Sequence, residues 1–180
     1  MFMRNFPTAI AALLLTACAI PSPAGKAPAL GTPVSAAEVV RWDISIGPDG
    51  AGLPAGGGTA REGQRVYEQK CIACHGVKGA GKPADALAGG IGSLASKTPV
   101  RTVGSYWPYA TTLFDYVRRS MPIDKPLSLT SDEVYAVSAY VLFVNGIVGE
   151  DTQMNARSLP QVKMPNRDGF ISDWAGRAAR

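Results

Sequence analysis

Two cysteines and a histidine form the sequence Cys71-Ile72-Ala73-Cys74-His75, which offers the clearest chemistry in this chain. Two thiols at this spacing can form thioether bonds to the two vinyl groups of one porphyrin, and the adjacent imidazole can then bind the iron. A thioredoxin-like redox pair would lie among alternating strands and helices, and a zinc site would need two further soft ligands. The sequence offers neither, so it predicts the covalent attachment of one haem.

The second axial ligand of the iron cannot be another imidazole, because His75 is the only histidine in the chain. Beyond the N-terminal segment the chain has three methionines: Met121, Met154 and Met164. A proline follows Met121 and disfavours helical geometry there, so we expect Met121 to leave a helix and enter a loop. Met121 is therefore the predicted sixth ligand. Ligation by Met154 or Met164, or by no methionine, stays open, and Met121 would then only pack as a flexible core side chain.

Axial ligation by histidine and methionine would have a definite chemical consequence. A soft thioether favours ferrous over ferric iron and raises the reduction potential. Because both axial positions are filled, oxygen and peroxide are kept out. The predicted site passes single electrons and binds no substrate, whereas an iron with an open sixth position would indicate a haem enzyme or a gas sensor.

The composition is that of an ordinary globular protein. The chain has 180 residues, of which 46% are hydrophobic and 18% are charged. This length suits one domain and is short for two. The formal charge is +4 and the basic residues are scattered, so nothing indicates nucleic-acid binding. A modest positive charge can still steer docking to an acidic partner.

The N-terminus predicts export. Residues 1–17 combine Arg4 with a short apolar run, which is typical of a secretory signal and too short to span a bilayer. The sequence Leu-Thr-Ala-Cys ending at Cys18 resembles the bacterial lipobox, where the cysteine becomes acylated. The alternative is an ordinary signal cleaved further on, with Cys18 discarded. Either way we expect a periplasmic protein, and in the first case one with a lipid anchor.

Three further segments follow the signal. Residues 18–58 are rich in proline, glycine and alanine, which predicts a tether that wraps the domain. Within them, residues 39–44 (Val-Val-Arg-Trp-Asp-Ile) either pack locally on the domain or form a docking strip for a partner. Residues 59–146 form the predicted domain. In residues 147–180 no hydrophobic periodicity survives, so we expect an extended arm lying on a surface.

The first helix of the predicted domain delivers the cysteines. Thr59 and Glu62 form a capping box, and apolar residues then recur at helical spacing up to the haem motif. After the motif, residues 76–99 are rich in glycine and proline, which predicts a long loop. Because glycines let the backbone approach closely, such a loop can wrap a flat cofactor.

Two more helices complete the predicted domain. The first begins near residue 111, with Asp115 in its first turn and basic residues at its end. The second begins with a capping box of Thr130 and Glu133 and ends at the sequence Asn145-Gly146. Its apolar residues cover much of its circumference, so we expect it to be buried.

Several side chains are expected around the haem, each with simple core or surface packing as the alternative. An apolar wall would come from Val66, Leu94, Phe114 and Val117. Polar aromatic groups meeting the propionates would come from the sequence Tyr106-Trp107-Pro108-Tyr109. Arg101 would compensate the propionate charge.

Several stretches of sequence resemble a known family. Residues 67–76 (YEQKCIACHG) are typical of small monohaem cytochromes c. Residues 103–116 (VGSYWPYATTLFDY), 132–136 (DEVYA) and 163–170 (KMPNRDGF) are more specific. They resemble the cytochrome c subunit of sulfane dehydrogenase, the SoxD-like partner of a molybdopterin enzyme in bacterial sulfur oxidation. Cytochrome subunits of related sulfite dehydrogenases share the resemblance in part.

The resemblance implies a mostly α, small monohaem cytochrome c fold, with three to four helices around one covalent haem c and extended N- and C-terminal arms. In that family the molybdenum subunit oxidises sulfur and the cytochrome removes electrons one at a time, so this chain would be no enzyme by itself. Residues 41–44 and 163–170 become candidates for contact with the partner. A downstream acceptor would be another cytochrome c. The haem roles would stay with Cys71, Cys74, His75 and Met121.

One alternative of a different kind also stays open. The chain would then be an independent electron shuttle between respiratory complexes. A free shuttle would need neither the aromatic strip at Trp42 nor the arm that follows Gly146.

Overall fold

The computed structural model describes residues 30–171, so the predicted signal and Cys18 lie outside the described residues. The chain divides into two units between Val40 and Arg41, and only residues 30–40 of the first unit are described. The first described helix, α1 (Ala36–Trp42), has no buried residue. Trp42 is 81% exposed, so local packing of its indole on the domain, one of the two expectations, is wrong.

The unit that begins at Arg41 is mostly helical in its described part, and this confirms the predicted fold class. Two short strands pair antiparallel, and two 3₁₀ turns follow α3 and β2. The elements in chain order are β1 (Gly57–Gly58), α2 (Ala60–Lys70), α3 (Ile72–His75), the 3₁₀ turn Val77–Gly79, α4 (Val103–Tyr106), α5 (Ala110–Ser120), α6 (Ser131–Val144), β2 (Met154–Asn155) and the 3₁₀ turn Leu159–Gln161. Among residues 30–171, no helix combines the length and apolar character needed to cross a bilayer.

Helices α2 and α6 form the frame of the domain. Both begin with the predicted capping boxes, in which the threonine side chain accepts from the N3 backbone and the glutamate accepts from the N-cap N–H. A Cβ atom on Gly63 would overlap the carbonyl of Ala136, so the glycine lets the two backbones approach closely. Further along, the rings of Tyr67 and Tyr140 lie 5.0 Å apart. Helix α6 is buried over most of its length, as predicted.

Helix α5 begins at Ala110, slightly earlier than the sequence predicted. Asp115 therefore lies in mid-helix, and its predicted place in the first turn is wrong. There it pairs with Arg119 one turn later, at 2.9 Å, and accepts a hydrogen bond from the N–H of Ile46 at 3.1 Å. The ring of Phe114 packs on that of Tyr135, with centroids 4.4 Å apart.

The C-terminal segment departs most from its prediction. It was expected to lie on the surface as an extended arm, but Met154, Leu159 and Met164 are each at most 3% exposed and belong to the core. Strand β2 places Met154 opposite Gly58 of β1. The buried apolar residues of this segment are isolated in sequence, so they give no periodic pattern; they are Met154, Leu159, Val162 and Met164. The sequence signal fails here for that reason.

Part of the predicted wrapping segment contacts the core. Ile46 and Leu53 are half-buried against the hydrophobic cluster of the domain. The carbonyl of Pro54 accepts a hydrogen bond from the hydroxyl of Tyr135 at 2.9 Å. This tyrosine is fully buried, so the bond satisfies a hydroxyl that burial would otherwise leave unpaired.

Candidate functional site

The end of α2 brings both cysteines and the histidine into one turn. The N–H of Cys71 donates to the carbonyl of Tyr67, which closes α2. The chain then makes the single turn α3, in which the N–H groups of Cys74 and His75 both donate to the carbonyl of Cys71, at 3.2 and 3.0 Å. Cys71 is half-buried, Cys74 is exposed, and both thiols are free. Cys71, Cys74 and His75 therefore lie together at one end of the frame.

The half-buried thiol differs from a redox-active one. Burial raises the pKa of Cys71 to about 11, opposed in part by the charge of Lys70. A reactive cysteine instead has a lowered pKa, because the thiolate is the nucleophile. The environment of Cys71 favours a structural role over the thioredoxin-like alternative.

A buried tyrosine ties the motif to the frame. The hydroxyl of Tyr67 donates to the carbonyl of Gly76 at 2.8 Å, and its ring packs on Tyr140 of α6. Burial raises the pKa of Tyr67 to about 12, so the hydroxyl keeps its proton and stays a donor. Gly76 has a φ of 70°, which is a conformation that favours glycine, and it turns the chain out of α3.

The imidazole of His75 is oriented by a loop carbonyl. Its Nδ1 lies 2.9 Å from the carbonyl oxygen of Asp85. A carbonyl oxygen only accepts hydrogen bonds, so Nδ1 carries the proton and Nε2 is left to bind a metal. The loop also returns to the motif through its backbone, since the N–H of Gly81 donates to the carbonyl of His75 and that of Ala84 to the carbonyl of Cys74.

Met121 leaves α5 as predicted. It is the C-cap of α5, with extended backbone angles of −119° and 143°, and its N–H still donates to the carbonyl of Val117. Its side chain is half-buried at the start of a loop. The two alternative ligands, Met154 and Met164, are both buried in the hydrophobic core. Ligation of the iron by Met121 stays a prediction.

The aromatic segment expected at the propionates has partners within its own domain. Trp107 packs edge-on against Tyr116, and the guanidinium of Arg101 lies 5.5 Å from the ring centre of Tyr106. The guanidinium of Arg167 lies 4.5 Å from the ring centre of Tyr109. The expected propionate contacts of these residues stay predictions.

The predicted apolar wall divides into two groups. Phe114 is fully buried among core residues. Val66 and Val117 are half-buried and pack against the same core, and Leu94 is half-buried in the long loop. The burial of these four residues does not test whether they contact the haem, so that contact stays a prediction.

Residues 163–170, expected to contact a partner, contact their own domain instead in several places. The side-chain amide of Asn166 donates to the carbonyl of Tyr106 at 2.8 Å, and the ring of Phe170 packs edge-on against Tyr106 at 5.2 Å. Arg167 and the buried Met164 add further contacts in the same unit. Much of this segment therefore serves the fold.

The donor set fits a haem of the c type. Two free thiols and an imidazole share one helical turn, and the imidazole is held by its Nδ1 so that Nε2 is available. Metal-bound histidines characteristically donate their other ring N–H to a carbonyl or carboxylate in this way. A thioether follows at the exit of α5 as a candidate sixth ligand.

Comparison with known proteins agrees with this chemistry. Residues 58–141 match the model of the family described as cytochrome c oxidase, cbb3-type, subunit III. The chain is also similar to a chain in the crystal structure of the sulfane dehydrogenase SoxCD from Paracoccus pantotrophus, with 38% identity and a TM-score of 0.77. That similarity covers 84% of this chain and 75% of the other. No curated protein matches the sequence significantly.

The fold, the haem motif and the family model together define a c-type cytochrome with a small monohaem fold and covalently bound haem c. At this identity and coverage the chain belongs to the SoxD-like family of cytochrome c subunits.

Sequence reasoning missed one part of the site, the acceptor for His75. The atom concerned is the backbone carbonyl of Asp85, and no residue type reveals where a carbonyl will point. The glycines and prolines of residues 76–99 indicated a loop, but they did not indicate which atom of it returns to the imidazole.

Proposed function

We propose that this protein is the electron-transfer subunit of a periplasmic, molybdopterin-containing dehydrogenase that oxidises a sulfur compound. Family membership supports an electron-transfer cytochrome, and the similar crystal structure is that of a sulfane dehydrogenase. The substrate would react on the partner subunit. This chain would receive the electrons and pass them to another cytochrome c.

The observation that carries the proposal is the single turn holding Cys71, Cys74 and His75. The two cysteines would hold the haem through thioethers, with His75 and Met121 as the axial ligands of the iron. The bound haem supplies a one-electron couple. Of the chain's own residues, Asp85 orients the imidazole, and Met121, as a ligand of the iron, would leave no position open to small molecules.

The proposed partner contact lies at the end of α1. Trp42 is 81% exposed and follows the basic Arg41, which gives a large amphipathic ring beside a positive charge. Tryptophan and arginine are the residue types most enriched among the energetically dominant residues of protein interfaces. Since Asn166 and Arg167 are engaged within the domain, we assign the main contact to residues 41–44 and only a lesser one to residues 163–170.

The N-terminal proposals concern location. Export through residues 1–17 and acylation of Cys18 would place the complex in the periplasm with a membrane tether. Mass spectrometry of the mature N-terminus checks this, since an acylated Cys18 would be the first residue. A mature chain that begins after Cys18 would refute the tether but leave export standing.

Co-purification tests the proposed role most directly. The full chain, expressed in a cell that makes the dehydrogenase, is expected to purify with a molybdenum-containing subunit and to be reduced when the sulfur substrate is added. Trp42→Ala should weaken the complex about tenfold or more, as expected for a central interface residue. Phe170→Ala is the matched comparison and should have a much smaller effect.

Two results would contradict the proposal. If the cytochrome purifies alone and is not reduced by the dehydrogenase, it is an independent shuttle. If Phe170→Ala weakens the complex more than Trp42→Ala, the main contact lies in residues 163–170.

A further inference from the structure

A buried asparagine makes hydrogen bonds to the long loop that follows the haem motif. Asn145, the C-cap of α6, is 8% exposed. Its side-chain N–H₂ donates to the carbonyls of Leu87 at 3.1 Å and Val141 at 2.8 Å, and its oxygen accepts from the N–H of Gly89 at 3.0 Å. One side chain thus joins the end of α6 to two backbone groups of the loop.

A second element holds the same stretch of loop. The hydroxyl of Thr102, the N-cap of α4, donates to the carbonyl of Gly89 at 2.7 Å. Helix α4 can lie close to Asn145 because its second residue is Gly104, where a Cβ atom would overlap the asparagine oxygen. Both polar groups of Gly89 are therefore bonded to buried side chains.

Residues 87–89, which these hydrogen bonds hold, lie close in sequence to Asp85, whose carbonyl orients the imidazole. The N–H groups of Leu87 and Ala88 donate to the carbonyl of Gly79, just beyond the motif, at 2.8 and 3.1 Å. Only one residue separates Asp85, whose carbonyl accepts from His75, from Leu87. A displacement of residues 87–89 is therefore transmitted to the Asp85 carbonyl through a very short length of backbone.

We propose that Asn145 is a positioning residue for the haem ligand. Through Leu87 and Gly89 it fixes the loop, and through the loop it fixes the hydrogen bond between Asp85 and His75. This inference rests on the proposed function of His75 as an iron ligand.

The direction of the effect follows from ligand chemistry. A hydrogen bond from the second ring nitrogen raises the basicity of a ligating histidine, and a more basic ligand favours ferric iron. Loosening the loop weakens that bond and removes part of this preference. The reduction potential of the holoprotein should then rise.

Two substitutions of Asn145 distinguish the effect of its hydrogen bonds to the loop from the effect of its hydrogen bond at the end of α6. Asn145→Ala removes all three hydrogen bonds. Asn145→Ser keeps a hydroxyl that can bond the carbonyl four residues earlier, on Val141, but is too short to reach the loop. The control is Leu159→Ala, which removes a fully buried side chain elsewhere in the core.

The measurements are made on the holoprotein. Both Asn145 variants should have a higher midpoint potential than the unsubstituted protein. In the reduced, diamagnetic state, the amide proton of Gly89 and the Nδ1 proton of His75 should exchange with solvent about tenfold faster or more. Leu159→Ala should lower the unfolding temperature and leave the potential and the His75 proton unchanged.

Several results would overturn the inference. One is that the Asn145 variants lose stability as Leu159→Ala does, while the midpoint potential and the exchange of the Gly89 and His75 protons stay unchanged. Another is that Asn145→Ser matches the unsubstituted protein, which would place the effect at the helix end. If Asn145→Ala does not accumulate as holoprotein, the serine variant decides. Failure of the proposed function would look different from failure of this inference. If His75 does not ligate the iron in the unsubstituted holoprotein, the proposed site is refuted, and the Asn145 variants have no bearing on that result.

Discussion

The α2–α6 frame and the loop that joins α3 to α4 (residues 76–101) are held together in different ways. In the frame, apolar side chains and close backbone contact join two regular helices, with Gly63 against Ala136 and Tyr67 against Tyr140. The loop has little regular structure, and specific hydrogen bonds from Asn145 and Thr102 hold it. Burial of apolar surface is non-directional, whereas a hydrogen bond fixes the position of individual atoms.

The difference assigns separate tasks to the two regions. The frame supplies stability and delivers the cysteines at the end of α2. The loop supplies the carbonyl that orients His75, and an acceptor must be placed to within a few tenths of an ångström to do so. Changes in the frame should therefore alter the stability of the protein, and changes in the loop should alter the properties of the iron.

The largest expected effect on stability comes from Gly63 in the frame. Gly63→Ala places a Cβ atom against the backbone carbonyl of Ala136, and the helices must move apart to accept it. We expect a loss of about 3 kcal/mol in the free energy of unfolding, or failure to fold. Denaturant unfolding measures it, and Gly149→Ala, where only the Thr152 hydroxyl is near, should cost less than about 1 kcal/mol. Equal losses in the two variants would contradict close packing of α2 on α6.

A smaller effect is expected where the frame meets the motif. Tyr67→Phe keeps the packed ring but removes the donor to the carbonyl of Gly76, and this should cost about 1 kcal/mol. Tyr140→Phe is the matched control, because its ring lies in the same pair. It should change stability less and leave the haem spectrum unchanged. A larger loss from Tyr140→Phe would show that the hydroxyl of Tyr67 does not anchor the motif.

The smallest effect concerns a charge at the start of α6. Glu133 accepts from Lys70 at 2.7 Å and from the N–H of Thr130 at 2.8 Å, and these bonds, that of Lys70 first, hold its pKa below the ordinary value. A carboxylate with a lowered pKa stabilises the fold above its ordinary pKa, and this stabilisation is lost as the pH falls through the folded-state pKa. Glu133→Gln keeps an acceptor for the capping box but removes the charge, so it should cost about 0.5 kcal/mol at neutral pH, and the difference should shrink in acid.

Urea unfolding of Glu133→Gln at neutral and acid pH measures this dependence. Lys70→Gln removes the ion pair but keeps the negative charge at the start of α6, so it should account for only part of the loss. A loss that stays constant down to acid pH would show that the carboxylate charge is not its source.

The contrast between regular helices and an irregular loop also explains how much of the fold could be predicted from the sequence. The capping boxes at Thr59 and Thr130 and the exit of Met121 from its helix were predicted, because periodicity, cap residues and proline act locally. The short helix α4 was missed, since its four residues give no period and its cap uses Thr102 with Ser105. Contacts between residues far apart in the chain leave no local pattern.

The candidate site divides in the same manner. Cys71, Cys74 and His75 could be identified because their spacing is itself the signal. The acceptor on Asp85 and the clamp at Asn145 depend on the path of the loop and on side chains more than fifty residues away in sequence. Asn145 was predicted only as part of a helix stop, which is its local role.

Ligand-binding spectroscopy of the oxidised holoprotein at neutral pH decides whether the protein supplies a sixth ligand to the iron. We expect a methionine thioether at this position, so cyanide should bind poorly to the native protein and readily to Met121→Ala. Met154→Ala and Met164→Ala, which shorten buried core side chains, should lower stability but keep the native ligation. A vacant or water-bound sixth position in the native protein, or an unchanged spectrum in Met121→Ala, would show that Met121 is not the sixth ligand.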